Sequence, residues 1–227
     1  MKEDKRISKE EAIISAAEKV FGEVGYKNAK MEEVAAVAGI TKVTLYSYFQ
    51  SKENLYMAIT FRGFQKLLNG YYQVTDKCKN KSGLISTLSL LDKFMDFSTE
   101  NFLYNEALLN YFSLVRSGNE KKLSEAIKES LYFKKMQDIH NLLFKLSAKE
   151  ILRGKADGSI NNNLDPLFLS LHGWTMIIGY SKVLNASGNQ DSTIFHMKIG
   201  DLKKLVLQTA KITLVSNIEL NDPVLTA

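Results

Sequence analysis

Between Thr41 and Lys52 the chain reads T-K-V-T-L-Y-S-Y-F-Q-S-K. Hydroxyls, two ammonium groups and an unshielded valine crowd this short stretch. None of them is a nucleophile with a base beside it, and none belongs to a metal-ligand set. They are hydrogen-bond donors around a small apolar surface. On a helix, Leu45 and Phe49 lie four residues apart on one face, and with Ile40 they point to a core. Lys42, Val43, Tyr46 and Ser47 then fall on the opposite side, flanked by Thr44 and Tyr48. A lysine can donate to guanine O6 or N7, and a valine can pack on a thymine methyl. The hydroxyls of Thr44, Tyr46 and Tyr48 can reach phosphate oxygens, which position a helix without specifying sequence. Lys52 opens a helix, where the macrodipole disfavours a cation. The same helix start favours an anion, so a bound phosphate would reconcile the two. The plainer readings are a solvated lysine for Lys52 and partly buried core tyrosines for Tyr46 or Tyr48 alone. Together, and behind a glycine turn, the residues favour double-stranded DNA.

The elements that must position this face are legible in the flanking sequence. Ser8 and Glu11 have the spacing of a capping box, which predicts a helix start at Ser8. Ile13, Ala17, Val20, Phe21 and Val24 then mark one helical face, and Gly25 ends it. Val34, Ala35 and Ala38 give a second, short helix an inner face. Gly39 permits a sharp turn and Thr41 caps the next helix, which completes a helix-turn-helix. Ser51 caps a longer helix that connects this head to a body.

Beyond the polar stretch "DKCKNKSG", amphipathic helices are predicted over roughly 84–99, 102–116, 120–154, 165–186 and 192–216. "KADGSINNNLDP" is the clearest break, and Asp165 followed by Pro166 is a strong helix start. The tail from Asn217 is expected to fray. No stretch alternates apolar and polar residues over a strand's length, so no sheet is expected. The predicted class is all-α, with a helix-turn-helix domain over residues 1–50. A larger helical domain follows over 51–227, of which 51–76 is the connecting helix.

Composition narrows the function. The net charge of +5 permits a nucleic-acid partner without demanding one. Residues 1–62 carry ten Lys/Arg against nine Asp/Glu, so a few placed contacts must do the work of any broad positive field. Lys5 and Arg6 could act as a minor-groove arm, although a loose tail is the simpler expectation. The lone Cys78 forms no internal disulfide, and the opening "MKEDKRISKEE" is no apolar leader. A cytoplasmic location is expected. The run "LFLSLHGWTMIIGYSKVL" carries His172 and Lys182 and reads as a buried helix rather than a membrane span.

The segment "AAEKVFGEVGYKNAKMEEVAAVAGITKVTLYSYFQSKENLYMAI" resembles the DNA-binding domain of the tetracycline-repressor (TetR) family. The likeness runs from about Lys9 to Ile59. It rests on Phe21, Gly25, Ala35, Gly39, Thr44, Leu45, Tyr46, Phe49, Lys52 and Leu55. The resemblance implies a homodimeric, all-helical transcription regulator, usually a repressor, that a small molecule releases from a palindromic operator. By position, Lys42, Val43 and Ser47 would face bases, while Thr44, Tyr46, Tyr48 and Lys52 would hold phosphates. Three residues depart from the pattern. Lys30 replaces a serine or threonine cap, and Val43 replaces a smaller residue. Glu32 stands where a polar or basic side chain often reaches DNA. It could accept from a cytosine amine or repel phosphate, and a solvent-facing role is the simpler reading.

In the body, Ser170, Gly173, Ile177, Tyr180, Ser181 and Leu184 form a stripe with small members. Phe195, Ile199, Leu202, Val206 and Thr209 form a second stripe. Two such helices from each of two chains could build a four-helix dimer interface. Alternatively, both stripes line their own core. An effector pocket between body helices is expected to draw on Phe97, Tyr111, Met136, His140 and Trp174, for an apolar or aromatic ligand. Control by a protein partner and activation in place of repression both remain open. No catalytic or phosphate-binding motif, cofactor site or metal site is read from the chain, so it is not expected to be an enzyme.

Overall fold

The computed structural model describes residues 2–116, 123–187, 193–194 and 196–220. Its helices are α1 (Lys2–Asn28), α2 (Met31–Val37), α3 (Lys42–Tyr48), α4 (Lys52–Lys77), α5 (Gly83–Glu100), α6 (Phe102–Arg116), α7 (Glu125–Lys128), α8 (Leu131–Ile139), α9 (Leu142–Ala156), α10 (Pro166–Ser187) and α11 (Ile199–Val215). Strands β1 (Thr193–Ile194) and β2 (Met197–Lys198) pair as a two-residue antiparallel ladder around His196, which has φ 66°. The class is all-α, and this ladder is a small departure from the expectation of no sheet. It also delays the last helix from about residue 192 to Ile199.

The chain forms two compact units, and neither follows the predicted boundary at residue 50. The first joins residues 1–66 to 101–140, and the second joins 67–100 to 141–227. In the first, α6 and α8 grip α1. The Tyr104 hydroxyl donates to Glu18 Oε1 at 2.7 Å, and the Tyr132 hydroxyl donates to Glu10 Oε1 at 2.6 Å. Arg62 on α4 pairs with Glu11 at 2.5 Å and Glu18 at 2.9 Å. These contacts join residues far apart in the chain, which local patterning cannot reveal.

Ser8 does not cap α1. The helix begins at Lys2 and runs through Ser8, because the charged residues before it are adequate helix formers. Lys5 and Arg6 therefore lie on the helix. Gly25 does break it, at φ 76°, and the Ala29 N–H donates to the Gly25 carbonyl at 3.1 Å to close the turn. The single helix predicted over 120–154 is three. Ser124 and Ser130 each accept from the amide three residues on, at 3.4 Å, and so start α7 and α8. A serine hydroxyl offers the backbone an alternative to helix continuation.

In the second unit α10 packs on α5 and α9, and α11 covers α5 and α10. The start of α5 lies directly on the end of α9. A Cβ added at Gly83 would lie 2.0 Å from the Gly154 nitrogen. Asp157 accepts from the Gly83 N–H at 2.7 Å, and Asn162 donates to the Thr213 and Ser216 carbonyls at 2.7 and 2.8 Å. The polar break after α9 is thus a packed junction, with Ile160 and Asn162 buried. None of the described helices is long and apolar enough to cross a membrane.

Candidate nucleic-acid interface

The head is built on a small core of Ile13, Ala17 and Phe21 from α1, Met31, Val34 and Ala35 from α2, and Leu45 from α3, all buried. The turn between α2 and α3 needs Gly39 at φ 64°, a conformation that costs other residues a steric penalty. The Ile40 N–H returns to the Ala35 carbonyl at 3.0 Å and fixes the turn. Thr41 Oγ1 then accepts from the Thr44 N–H at 3.1 Å, so Thr41 is the cap of α3.

With Leu45 and Phe49 buried, α3 can present only its other side. Lys42, Val43, Tyr46 and Ser47 are exposed, and Thr44 and Tyr48 are half-buried. Val43 is 81% exposed, too open for a core valine. The hydroxyls differ in what they have left to give. Thr41 and Thr44 hydrogen-bond each other at 2.9 Å, and Ser47 Oγ donates to the Thr44 carbonyl at 2.7 Å. No described residue hydrogen-bonds the Tyr46 or Tyr48 hydroxyl, which leaves both phenols able to donate outward.

Lys52 departs from its predicted role as an anion ligand. Its ammonium donates to the carbonyls of Tyr26, Lys27 and Ala29 at 2.9, 3.2 and 3.1 Å, and lies 4.7 Å from the Tyr26 ring centroid. An ammonium has three protons, and all three have partners here. The cation serves the carbonyl end of α1, where a positive charge is favourable, although it sits at the unfavourable start of α4. Tyr26 is itself pushed up to about 12 by burial, with the Glu53 carboxylate adding to the effect.

Lys30 begins α2 with half of a capping box. The Glu33 carboxylate accepts from the Lys30 N–H at 3.0 Å, but a lysine side chain has no acceptor to return. Glu32 on α2 and Lys42 on α3 form an ion pair that the sequence reading missed. That contact holds the Lys42 ammonium above its ordinary pKa and the Glu32 carboxyl below its own. The signal was present, since Glu32 and Lys42 flank one tight turn.

The residues expected at an effector pocket are divided between the two units. Tyr111, Met136 and His140 meet in the first. The Tyr111 ring lies 6.1 Å from that of His140, and His140 Nδ1 is 3.3 Å from the Met136 carbonyl. Phe97 packs on Phe94 and Trp174 on Phe144 in the second. Tyr111, Met136 and Phe97 are closed core. An open groove of about 300 Å³ between α5 and α11 is lined by Ile85, Leu88, Leu207 and Lys211, and none of the five expected residues lines it.

The dimer stripe on α10 also needs correction. Ser170, Ile177 and Tyr180 are buried within their own chain, and a Cβ on Gly173 would touch Leu91 at 3.6 Å. The small residues admit α5 and α9 rather than a second protomer. On α11, Leu202 and Val206 are half-buried, while Phe195 lies outside the described residues. The apolar residues left exposed are Phe168 and Val183 on α10, and Leu205 and Ile212 on α11.

Residues 13–59 match the family described as bacterial regulatory proteins, tetR family. The HTH-type transcriptional regulator RutR of Escherichia coli (strain K12) is 42% identical over 52 residues, which span 23% of this chain and 24% of that protein. The fold is similar to that of PfmR, a TetR family transcriptional regulator from Thermus thermophilus. The TM-score is 0.63 at 16% identity, covering 89% of this chain and 96% of that one. AibR, solved with isovaleryl coenzyme A and operator DNA, is similar over 91% of this chain and 98% of its own, with a TM-score of 0.60 at 16% identity. At such identities the likeness to these two concerns the fold. From the match of its head and from that shared helical fold, the chain belongs to the tetR family of bacterial regulatory proteins.

Proposed function

We propose that this protein is a cytoplasmic transcription regulator that binds a palindromic DNA operator as a homodimer and is released by a small apolar or aromatic effector. One observation carries the reading: α3 anchors Leu45 and Phe49 in the core and turns Lys42, Val43, Tyr46 and Ser47 outward together. Lys42 and Val43 are suited to base edges and the tyrosine phenols to phosphates. Ser47 and Thr44 contribute by releasing their present intrahelical bonds, and Lys52 contributes indirectly by holding the head together.

The first unit supports coupling to an effector. Tyr132 on α8 stacks on Phe49 at the end of α3, with ring centroids 6.3 Å apart, and also bonds Glu10 on α1. A ligand that moves α8, through Met136 or the Tyr111–His140 contact, therefore moves a residue that touches the reading helix. The complex of AibR with an acyl coenzyme A favours effectors with an apolar tail. The exposed Phe168, Val183, Leu205 and Ile212 on the last two helices are the surface we assign to the second protomer.

Selection of bound duplexes from a random pool at moderate salt tests the reading. A palindromic motif supports a symmetric dimer on DNA. Absence of any enrichment, with the protein folded, overturns it.

A further inference from the structure

Glu32 is a negative charge on a surface that, on the reading above, lies against a polyanion. Its carboxylate meets the Lys42 ammonium across the turn, with both side chains 56% exposed. The Tyr46 ring flanks the same ammonium, 5.8 Å from its centroid. A lysine has a flexible four-carbon stem and behaves as a point charge that settles on the nearest phosphate. This one is held from two sides. The pair also cancels a charge, so Lys42 in its held state contributes little to sequence-independent attraction. The head has almost no net charge to compensate for that loss, with ten Lys/Arg against nine Asp/Glu over residues 1–62.

We propose that Glu32 is a positioning residue for base recognition. It holds Lys42 over the base edges and away from the phosphates, and so gives up non-specific affinity in exchange for discrimination. The proposal rests on α3 lying in the major groove. It assigns Glu32 a role through Lys42, not a base contact of its own.

The test compares wild type, E32Q and E32A on the selected operator and on a scrambled duplex over a salt series. Glu32 is exposed, so an unchanged melting temperature is expected for both variants. Freeing the lysine should tighten binding to the scrambled duplex by roughly threefold per lysine engaged, and steepen the salt slope by about 0.9 for each. Preference for the operator base pair that Lys42 reads should fall at the same time. A merely structural role would weaken both duplexes together, with no change of slope, and that result would overturn the proposal. The same comparison in a K42A background should show no further change of preference at that base pair. If preference there still changes, Glu32 reads a base itself and the positioning role is wrong. A wild-type protein that selects no operator would defeat the DNA reading. A wild type that selects one while E32Q behaves identically would defeat this inference alone.

Discussion

The Lys52 ammonium sits 4.7 Å from the centre of the Tyr26 ring and donates to the Tyr26 carbonyl at 2.9 Å. One side chain from the start of α4 thus closes the carbonyl end of α1 beyond its break at Gly25. Lys52→Met keeps the stem and removes the charge, leaving three carbonyls without their donor. The expected cost is about 1–3 kcal/mol of stability. Denaturant unfolding measures it, and an unchanged midpoint would show that water replaces the ammonium freely.

Lys42 and Tyr46 should fail differently. Lys42→Ala should relax preference at one base pair, with a loss of about 1–3 kcal/mol on the operator. Tyr46→Phe, which removes only the outward hydroxyl, should weaken all duplexes alike. Binding isotherms on the operator and its single-base variants separate the two, and a uniform loss for Lys42→Ala would contradict a base-reading role.

Tyr132 stacks on Phe49 and bonds Glu10, so its two contacts can be removed separately. Tyr132→Phe should retain operator affinity but reduce the effector's power to release DNA. A coupling of about 1–3 kcal/mol is typical for such systems, so a drop to near zero would be readily seen. Equal release by both proteins would place the coupling elsewhere.

The contact of Gly83 with Gly154 leaves no room for a methyl group, and the obstacle is backbone. Gly83→Ala should destabilise by about 1–3 kcal/mol or more. The neighbouring Asp157 carboxyl is held below its ordinary pKa, first by the Ser159 side chain and then by the Gly83 and Ser159 N–H groups. A depressed folded pKa contributes stability above the unfolded carboxylate pKa. That contribution is lost as pH falls through the folded value. Asp157→Asn should therefore lower stability near neutral pH and have little effect near about pH 3. Denaturant midpoints at the two pH values test this, and a constant difference would exclude the linkage.

Leu205 and Ile177 distinguish a partner surface from a core. Leu205 is 61% exposed and Ile177 is 3% exposed. Leu205→Glu should give folded monomers by light scattering, because a charge at the centre of an apolar interface is poorly compensated. Ile177→Glu should unfold the second unit. A folded dimer carrying Leu205→Glu would place the interface elsewhere.

Local chemistry determined much of this protein from the sequence alone. The helix-turn-helix follows from Gly25, Gly39, Thr41 and the four-residue step between Leu45 and Phe49. Backbone conformation, capping and helical periodicity act over a few residues, and a sequence displays them directly. The outward set on α3 was legible for the same reason, because burying one face of a short helix fixes what the other exposes. Tertiary structure decided what depends on distant partners. It turned Lys52 from an anion ligand into a cap for α1, paired Glu32 with Lys42, and joined α6 and α8 to the head through Tyr104 and Tyr132. It also placed Ser170, Ile177 and Tyr180 against their own core. A small-residue stripe is equally suited to a helix of its own chain or of another, and periodicity carries no information about which one arrives. Only the packing of α5 and α9 onto α10 settled that.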